Sequence, residues 1–164
     1  MPLGLPVQSN LTTQGNIGNA YHHLGRLEEA LPLRRDVYSG WLKLSGEECF
    51  ETLREANNYA MNFLKLKRHK EARSLTRKTI PVARRVLGED HRLTLSLRWI
   101  YANALSLNES ATVADLSEAV TTLESAAMSY KRVLGQGHPE TPKVQKALQS
   151  ARAKLALVRA STAS

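Results

Sequence analysis

The chain has 164 residues, 42% hydrophobic and 5% aromatic, with a single cysteine and a formal net charge of +8. That length and apolar content suit one domain with a real core and argue against wholesale disorder, and a lone Cys49 excludes an internal disulfide. The opening MPLGLPVQSN has neither the basic region nor the apolar run of a signal peptide. No stretch approaches a charge-free membrane span, so a reduced, cytoplasmic setting is expected. The bias toward Leu, Ala, Arg, Glu and Lys favours helix.

Residues 1–10 read as a disordered leader, and an internal repeat begins at Leu11. GRLEEA (25–30) and KRHKEA (67–72) place Ala30 and Ala72 42 positions apart, as are Gly46 and Gly88, and Thr52 and Thr94. The next copy lies 47 positions on, at Ala119, Gly135 and Thr141. The five added residues fall most naturally in NESATVAD (108–115), whose Asn, Ser, Thr and Asp suit a surface loop. Units of 11–52, 53–94 and 95–141 follow, each predicted to hold two helices. First helices are expected near 11–24, 53–66 and 95–107, and second helices near 28–44, 70–87 and 115–134.

Aligned apolar positions Ile17/Tyr59/Tyr101 and Tyr21/Phe63/Leu105 lie four apart. The small residues Gly18, Ala60 and Ala102 sit between them, a pattern that suits a helix packed closely on a neighbour. The octads LGEDHRLT (87–94) and LGQGHPET (134–141), with the weaker LSGEECFET (44–52), join one unit to the next. Gly46, Gly88 and Gly135 are placed to end a helix in a left-handed backbone. Thr52, Thr94 and Thr141 are placed to cap the following one, with Thr52-Leu-Arg-Glu55 fitting a capping box. Val144, Leu148, Ala151, Leu155 and Val158 make 142–160 a further helix, read as a cap on the stack, before a frayed 161–164.

Charge is uneven along these units. Residues 11–52 carry net −2, 53–94 net +7, 95–141 net −2 and 142–164 net +5. A local basic field favours an acidic partner without choosing its class. The run KLKRHKEARSLTRK (65–78) reads first as a solvated outer face and next as an acidic-partner surface. It has no interleaved aromatic platform for nucleic acid. His91 and His138 recur without a third ligand or carboxylate, so they read as joint residues rather than metal ligands or bases. His22 and His23 point in different directions on a helix, and Gly15, Gly18 and Gly25 lack the strand and Lys-Ser/Thr of a phosphate loop. Cys49 reads as a spare thiol. No catalytic residue, cofactor or metal site is expected.

NIGNAYHHLGRLEEA (16–30), NYAMNFLKLKRHKEA (58–72) and the two histidine octads resemble tetratricopeptide repeats. With the 42-residue period they are similar to the repeat variant of kinesin light chains. The resemblance implies an all-α fold, a right-handed superhelical solenoid of antiparallel helix pairs. It also implies a concave groove, lined by each first helix, that binds an extended peptide. Carried over position by position, the groove candidates are Asn16, Asn19 and His23; then Arg54, Asn57, Asn58, Met61 and Lys65; then Trp99, Asn103 and Ser96. Ile100 stands where the third unit would carry an asparagine. Asparagine amides can clamp a peptide group, Met61 and Trp99 offer an adaptable apolar surface, and Arg54 and Lys65 attract acidic side chains. The expected role is a non-catalytic adaptor or scaffold for an extended, acidic protein segment. The alternatives are a structural piece self-associating through an uncapped first unit, or an RNA-binding basic surface.

Overall fold

The computed structural model of the protein describes residues 6–163. Seven helices follow one another, with no strand among the described residues: α1 (Val7–His23), α2 (Leu27–Ser45), α3 (Phe50–Lys65), α4 (His69–Leu87), α5 (Arg92–Ser106), α6 (Val113–Leu134) and α7 (Glu140–Thr162). Each packs on its neighbours in the chain, while α3 also packs on α5 and α5 on α7. Short turns fold each helix back on the one before, so α1, α3, α5 and α7 form one layer and α2, α4 and α6 the other.

Within a pair, the turn uses the same chemistry twice. The Arg26 guanidinium stacks on Tyr21 and pairs with Glu29, and 42 residues on Arg68 stacks on Phe63 and pairs with Glu71. Gly25 takes a φ of 74° there, and its counterpart Lys67 takes 58°, the one non-glycine with positive φ among the described residues. Between pairs, Gly46, Gly88 and Gly135 end α2, α4 and α6 with φ of 81°, 95° and 83°. Those angles, with ψ near 180°, are essentially open only to glycine. Arg85 of α4 reaches back to Glu48, and Arg132 of α6 makes the corresponding pair with Asp90.

The joint works differently from the capping scheme read from sequence. The ring Nδ1 of His91 accepts a hydrogen bond from the Leu93 N–H at 3.1 Å, and His138 accepts from the Glu140 N–H at 3.2 Å. The octad histidines are therefore the residues that satisfy free helix-start donors. The threonines stand inside the first turn: Thr52 and Thr94 are buried with hydroxyls lacking any partner, and Thr141 donates to the Gly135 carbonyl at 2.8 Å. Glu55 closes no capping box with Thr52; it is drawn into the interior. The only capping box among the described helices is Thr112 with Asp115, which starts α6. Because the caps precede the threonines, α3 and α5 begin at Phe50 and Arg92, about one turn earlier than expected.

The bounds differ elsewhere too. Helix α1 starts at Val7, so 7–10 are helical rather than part of a disordered leader, whose residues 1–5 lie outside the described residues. Helix α7 continues through Thr162, so 161 and 162 are helical; residue 164 lies outside the described residues. The five-residue lengthening is shared between two places. The turn 107–112 outgrows its counterparts 24–26 and 66–68, and α6 has 22 residues against 19 in α2 and α4.

The core deepens along the chain. One cluster joins α3 to α7 through Leu53, Leu95, Leu97, Leu105, Leu123 and Val144. A second gathers Ala56, Ala60, Phe63, Leu75 and Ile100. Between α1 and α2 the cluster among the described residues is Leu11, Val37 and Trp41. The aligned stripe follows the same gradient: Tyr101 and Leu105 are buried, Tyr59 is half-buried, and Ile17 is 43% exposed.

Candidate functional site

The predicted groove residues all lie on α1, α3 and α5, but they divide into several environments. Asn16 and His23 are exposed. Asn19 is half-buried and accepts a 2.7 Å hydrogen bond from Arg34 Nη2. Asn58 donates to Glu55 Oε2 at 3.5 Å, and Arg54 Nε pairs with Glu55 Oε1 at 3.1 Å. Three of the expected peptide contacts are thus turned toward one ion pair within the protein.

That pair was not anticipated. Arg34 of α2 and Glu55 of α3 meet at 3.5 Å with side chains 3% exposed, joining the first helix pair to the second. Gly15 and Gly18 of α1 make the room. A Cβ at Gly18 would lie 3.4 Å from the guanidinium, and one at Gly15 would lie 3.6 Å from the carboxylate. Burial holds the Arg34 pKa below its ordinary value, while the Glu55 charge works the other way. One junction further on, the corresponding positions carry Thr76 and Leu97, both fully buried, so the ion pair belongs to the first junction alone. Two more interior groups escaped the sequence reading. Asn62, fully buried on α3, donates to the Leu27 carbonyl at 2.9 Å and faces His22 Nδ1 at 3.4 Å. Arg98 of α5, 2% exposed, reaches Ser125 Oγ at 2.7 Å and Glu89 at 2.9 Å. Burial, then the Lys65 charge, lowers the His22 pKa.

The remaining candidates line shallow pockets along the layer. Trp99 and Asn103 share a pocket of about 290 Å³ with Lys143, Lys146, Ala147 and Ser150 of α7. The Asn103 amide donates to the Trp99 carbonyl at 2.8 Å. Lys65 lines a second pocket with Leu64, Lys67, His69 and Leu107. Arg54 and Ser96 line a third, floored by Phe50, Leu93 and Tyr130, the last a buried phenol whose pKa burial pushes up to about 12. Met61 is half-buried against the second core cluster, beside which Trp99 also packs. Asn57 Oδ1 and Trp99 Nε1 occupy corresponding positions 42 residues apart, and both atoms are buried with no partner among the described residues.

Several basic residues of α4, within the run and beyond it, have partners in the protein. Arg73 pairs with Asp115, Arg84 with Glu89 and Arg85 with Glu48, while Lys78 lies over the Tyr38 ring. The Cys49 thiol donates to Glu51 at 2.9 Å. Among the described residues no group of three His, Cys, Asp or Glu could hold a metal, and no helix is long and apolar enough to cross a membrane.

The tetratricopeptide repeat family model matches residues 9–80, which span α1 to most of α4. Several solved structures share the fold. One from Podosopora anserina, described as a kinesin light chain of nearly identical TPR-like repeats, is 24% identical with a TM-score of 0.68, covering 98% of this chain and 77% of that one. A single-residue variant of it is also 24% identical, with a TM-score of 0.69 over 93% of this chain and 74% of that one. BtubC (BKLC) from P. vanneervenii is 18% identical with a TM-score of 0.69, over 98% of this chain and 67% of that one. No curated protein matches the sequence. Residues 9–80 therefore match the tetratricopeptide repeat family, and the chain is an all-α solenoid of antiparallel helix pairs whose fold those solved structures share.

Proposed function

We propose that the protein is a non-catalytic adaptor that binds an extended, acidic segment of a partner protein along the face formed by α1, α3, α5 and α7. The observation that carries this reading is the state of the corresponding side chains Asn57 and Trp99. Each holds a buried polar atom without a partner, an acceptor on one and a donor on the other. They are two of ten such atoms among the described residues, set apart by lying on half-buried side chains of the first helices, and a peptide backbone offers both complements. Met61 and Trp99 add apolar surface beside them, and Lys65 adds positive charge. Asn19 and Asn58 serve the proposed site indirectly, by fixing the Arg34–Glu55 pair beneath it. The cytoplasm is the compartment that fits a lone free thiol.

Selection of a random peptide library against the full chain tests the reading. Enriched peptides should be acidic and extended, and Met61→Ala with Lys65→Ala should weaken them at least tenfold while the chain stays folded at the assay temperature. These two residues are chosen because neither holds the buried ion pair. Peptides that bind this variant as well as the native chain would place the site elsewhere.

A further inference from the structure

We infer that α7 is a fourth wall of the groove as well as a lid on the stack, and that Lys143 and Lys146 form its subsite for carboxylate side chains of an acidic peptide. The inference rests on the groove reading above and extends it to a helix that the sequence suggested only as a cap.

The register comes first. Thr141 corresponds to Thr94, 47 positions earlier, so Lys143, Lys146 and Ser150 of α7 correspond to Ser96, Trp99 and Asn103 of α5. Helix α7 touches α5 less extensively than α5 packs on α3, yet lies beside it in the same layer. The pocket of about 290 Å³ joins the two helices through those residues: Trp99 and Asn103 on one side, Lys143, Lys146 and Ser150 on the other.

Charge then distinguishes these lysines from their neighbours. After Glu140 the chain carries five Lys or Arg and no acidic residue. Three of the five are turned to other helices. Arg152 pairs with Glu124, Arg159 reaches Ser117, and Lys154 donates to the carbonyls of Ser106 and Asn108 at 2.7 and 2.8 Å, closing the end of α5. Lys143 is steadied by Glu140 one turn back, at 2.7 Å and largely exposed. Lys146 has no hydrogen bond or ion pair among the described residues. Two exposed ammonium groups beside a half-buried indole and a carboxamide offer a partner both charge and an apolar contact. The occupant they complement is an acidic peptide with an apolar side chain next to its carboxylates.

The test uses the full chain and a fluorescein-labelled peptide, Glu-Glu-Leu-Glu-Glu-Ser-Leu-Glu, with a second peptide in which Gln replaces every Glu. Fluorescence anisotropy gives the affinity, and the indole N–H resonance of Trp99 in a ¹⁵N spectrum reports occupancy of the pocket. Lys143→Glu with Lys146→Glu should weaken the acidic peptide at least tenfold. Lys70→Glu with Arg77→Glu, which changes net charge equally on the outer face of α4, should change it less than threefold. The Gln peptide should bind at least tenfold more weakly than the acidic one, and only the acidic peptide should shift the Trp99 resonance. Binding untouched by the α7 substitutions would overturn the subsite and leave the groove reading standing. An equal loss in both double variants would overturn it as a general charge effect. Failure of the acidic peptide to bind the native chain would overturn it too, the groove reading then resting on the library selection. Lys146→Gln alone, at an unpaired exposed position, separates loss of the subsite from any disturbance of α7 and should give an intermediate loss.

Discussion

Replacing Glu55 with Gln keeps the shape of the side chain and removes its charge. Arg34 is 2% exposed, so its guanidinium cannot turn to water. It keeps the 2.7 Å bond to Asn19, but Nε already has no partner and Nη1 loses its carboxylate. At 3.5 Å and an effective dielectric near 20, the lost attraction is about 5 kcal/mol before solvation is counted. Removing one member of a buried pair costs about 3–5 kcal/mol in net terms, and the retained Asn19 bond places this case near 3. For a chain of this size that lowers the melting temperature by roughly 6–12 °C. Urea unfolding at neutral pH, followed by circular dichroism, should show a lower midpoint. Arg34→Met with Glu55→Leu should recover to within about 1 kcal/mol of the native chain, since well-packed apolar replacements of buried pairs are often neutral. The next junction already holds Leu97 and Thr76 at these places. A Glu55→Gln variant within about 1 kcal/mol of native stability would refute the claim that this pair locks the first two repeats together.

Three further outcomes follow from the joints and the titrating groups. His91→Ala should cost about 1 kcal/mol in urea unfolding and His91→Asn much less, whereas Thr94→Val should be neutral or stabilising because that buried hydroxyl has no partner. If Thr94 were the cap, the order would reverse. Lys67→Gly should raise stability by about 0.5–1 kcal/mol, by relieving a left-handed lysine where the preceding repeat uses Gly25; a loss of stability would show that the lysine is not strained. Burial lowers the pKa of His22 and of His69, so the unfolded chain binds protons that the folded chain resists. Stability should be fully present above about pH 6.5 and fall as pH drops through the lower folded values. NMR titration should give midpoints below about 6.5 for both rings, and His22→Gln should flatten part of the pH dependence.

The repeat was legible because it rests on spacing. Three glycines at the same offsets announce three helix ends, and the backbone adopts positive φ at all three. The caps were harder to read. Sequence offers a Thr and a His three residues apart, and only the turn geometry decides which one faces free N–H groups. Histidine won because its Nδ1 reaches two residues forward while the threonine is already inside the first turn. The groove candidates Asn19 and Asn58 show a different limit. They lie on the helices expected, but what they touch depends on an arginine from α2 and a glutamate on α3. A sign of that pair was present in the spacing Ala30, Arg34, Val37, Trp41, where an arginine occupies a core position of α2. Gly15 and Gly18 were the matching sign on α1. Neither identifies the partner, because pairing between separate helices is fixed only by how they cross.

The core gradient gives the solenoid a direction in time as well as in space. A stack whose units touch only their neighbours opens from its weaker end. Here α1 and α2 share an apolar seam of Leu11, Val37 and Trp41, while α7 is held over α5 and α6 by a continuous core and by the Lys154 clamp. Amide exchange should therefore be fastest in the first pair, slow abruptly at the Arg34–Glu55 junction and remain slow through α6. The buried ion pair then acts as a latch: the first repeat can peel away and close again while the rest of the stack stays folded.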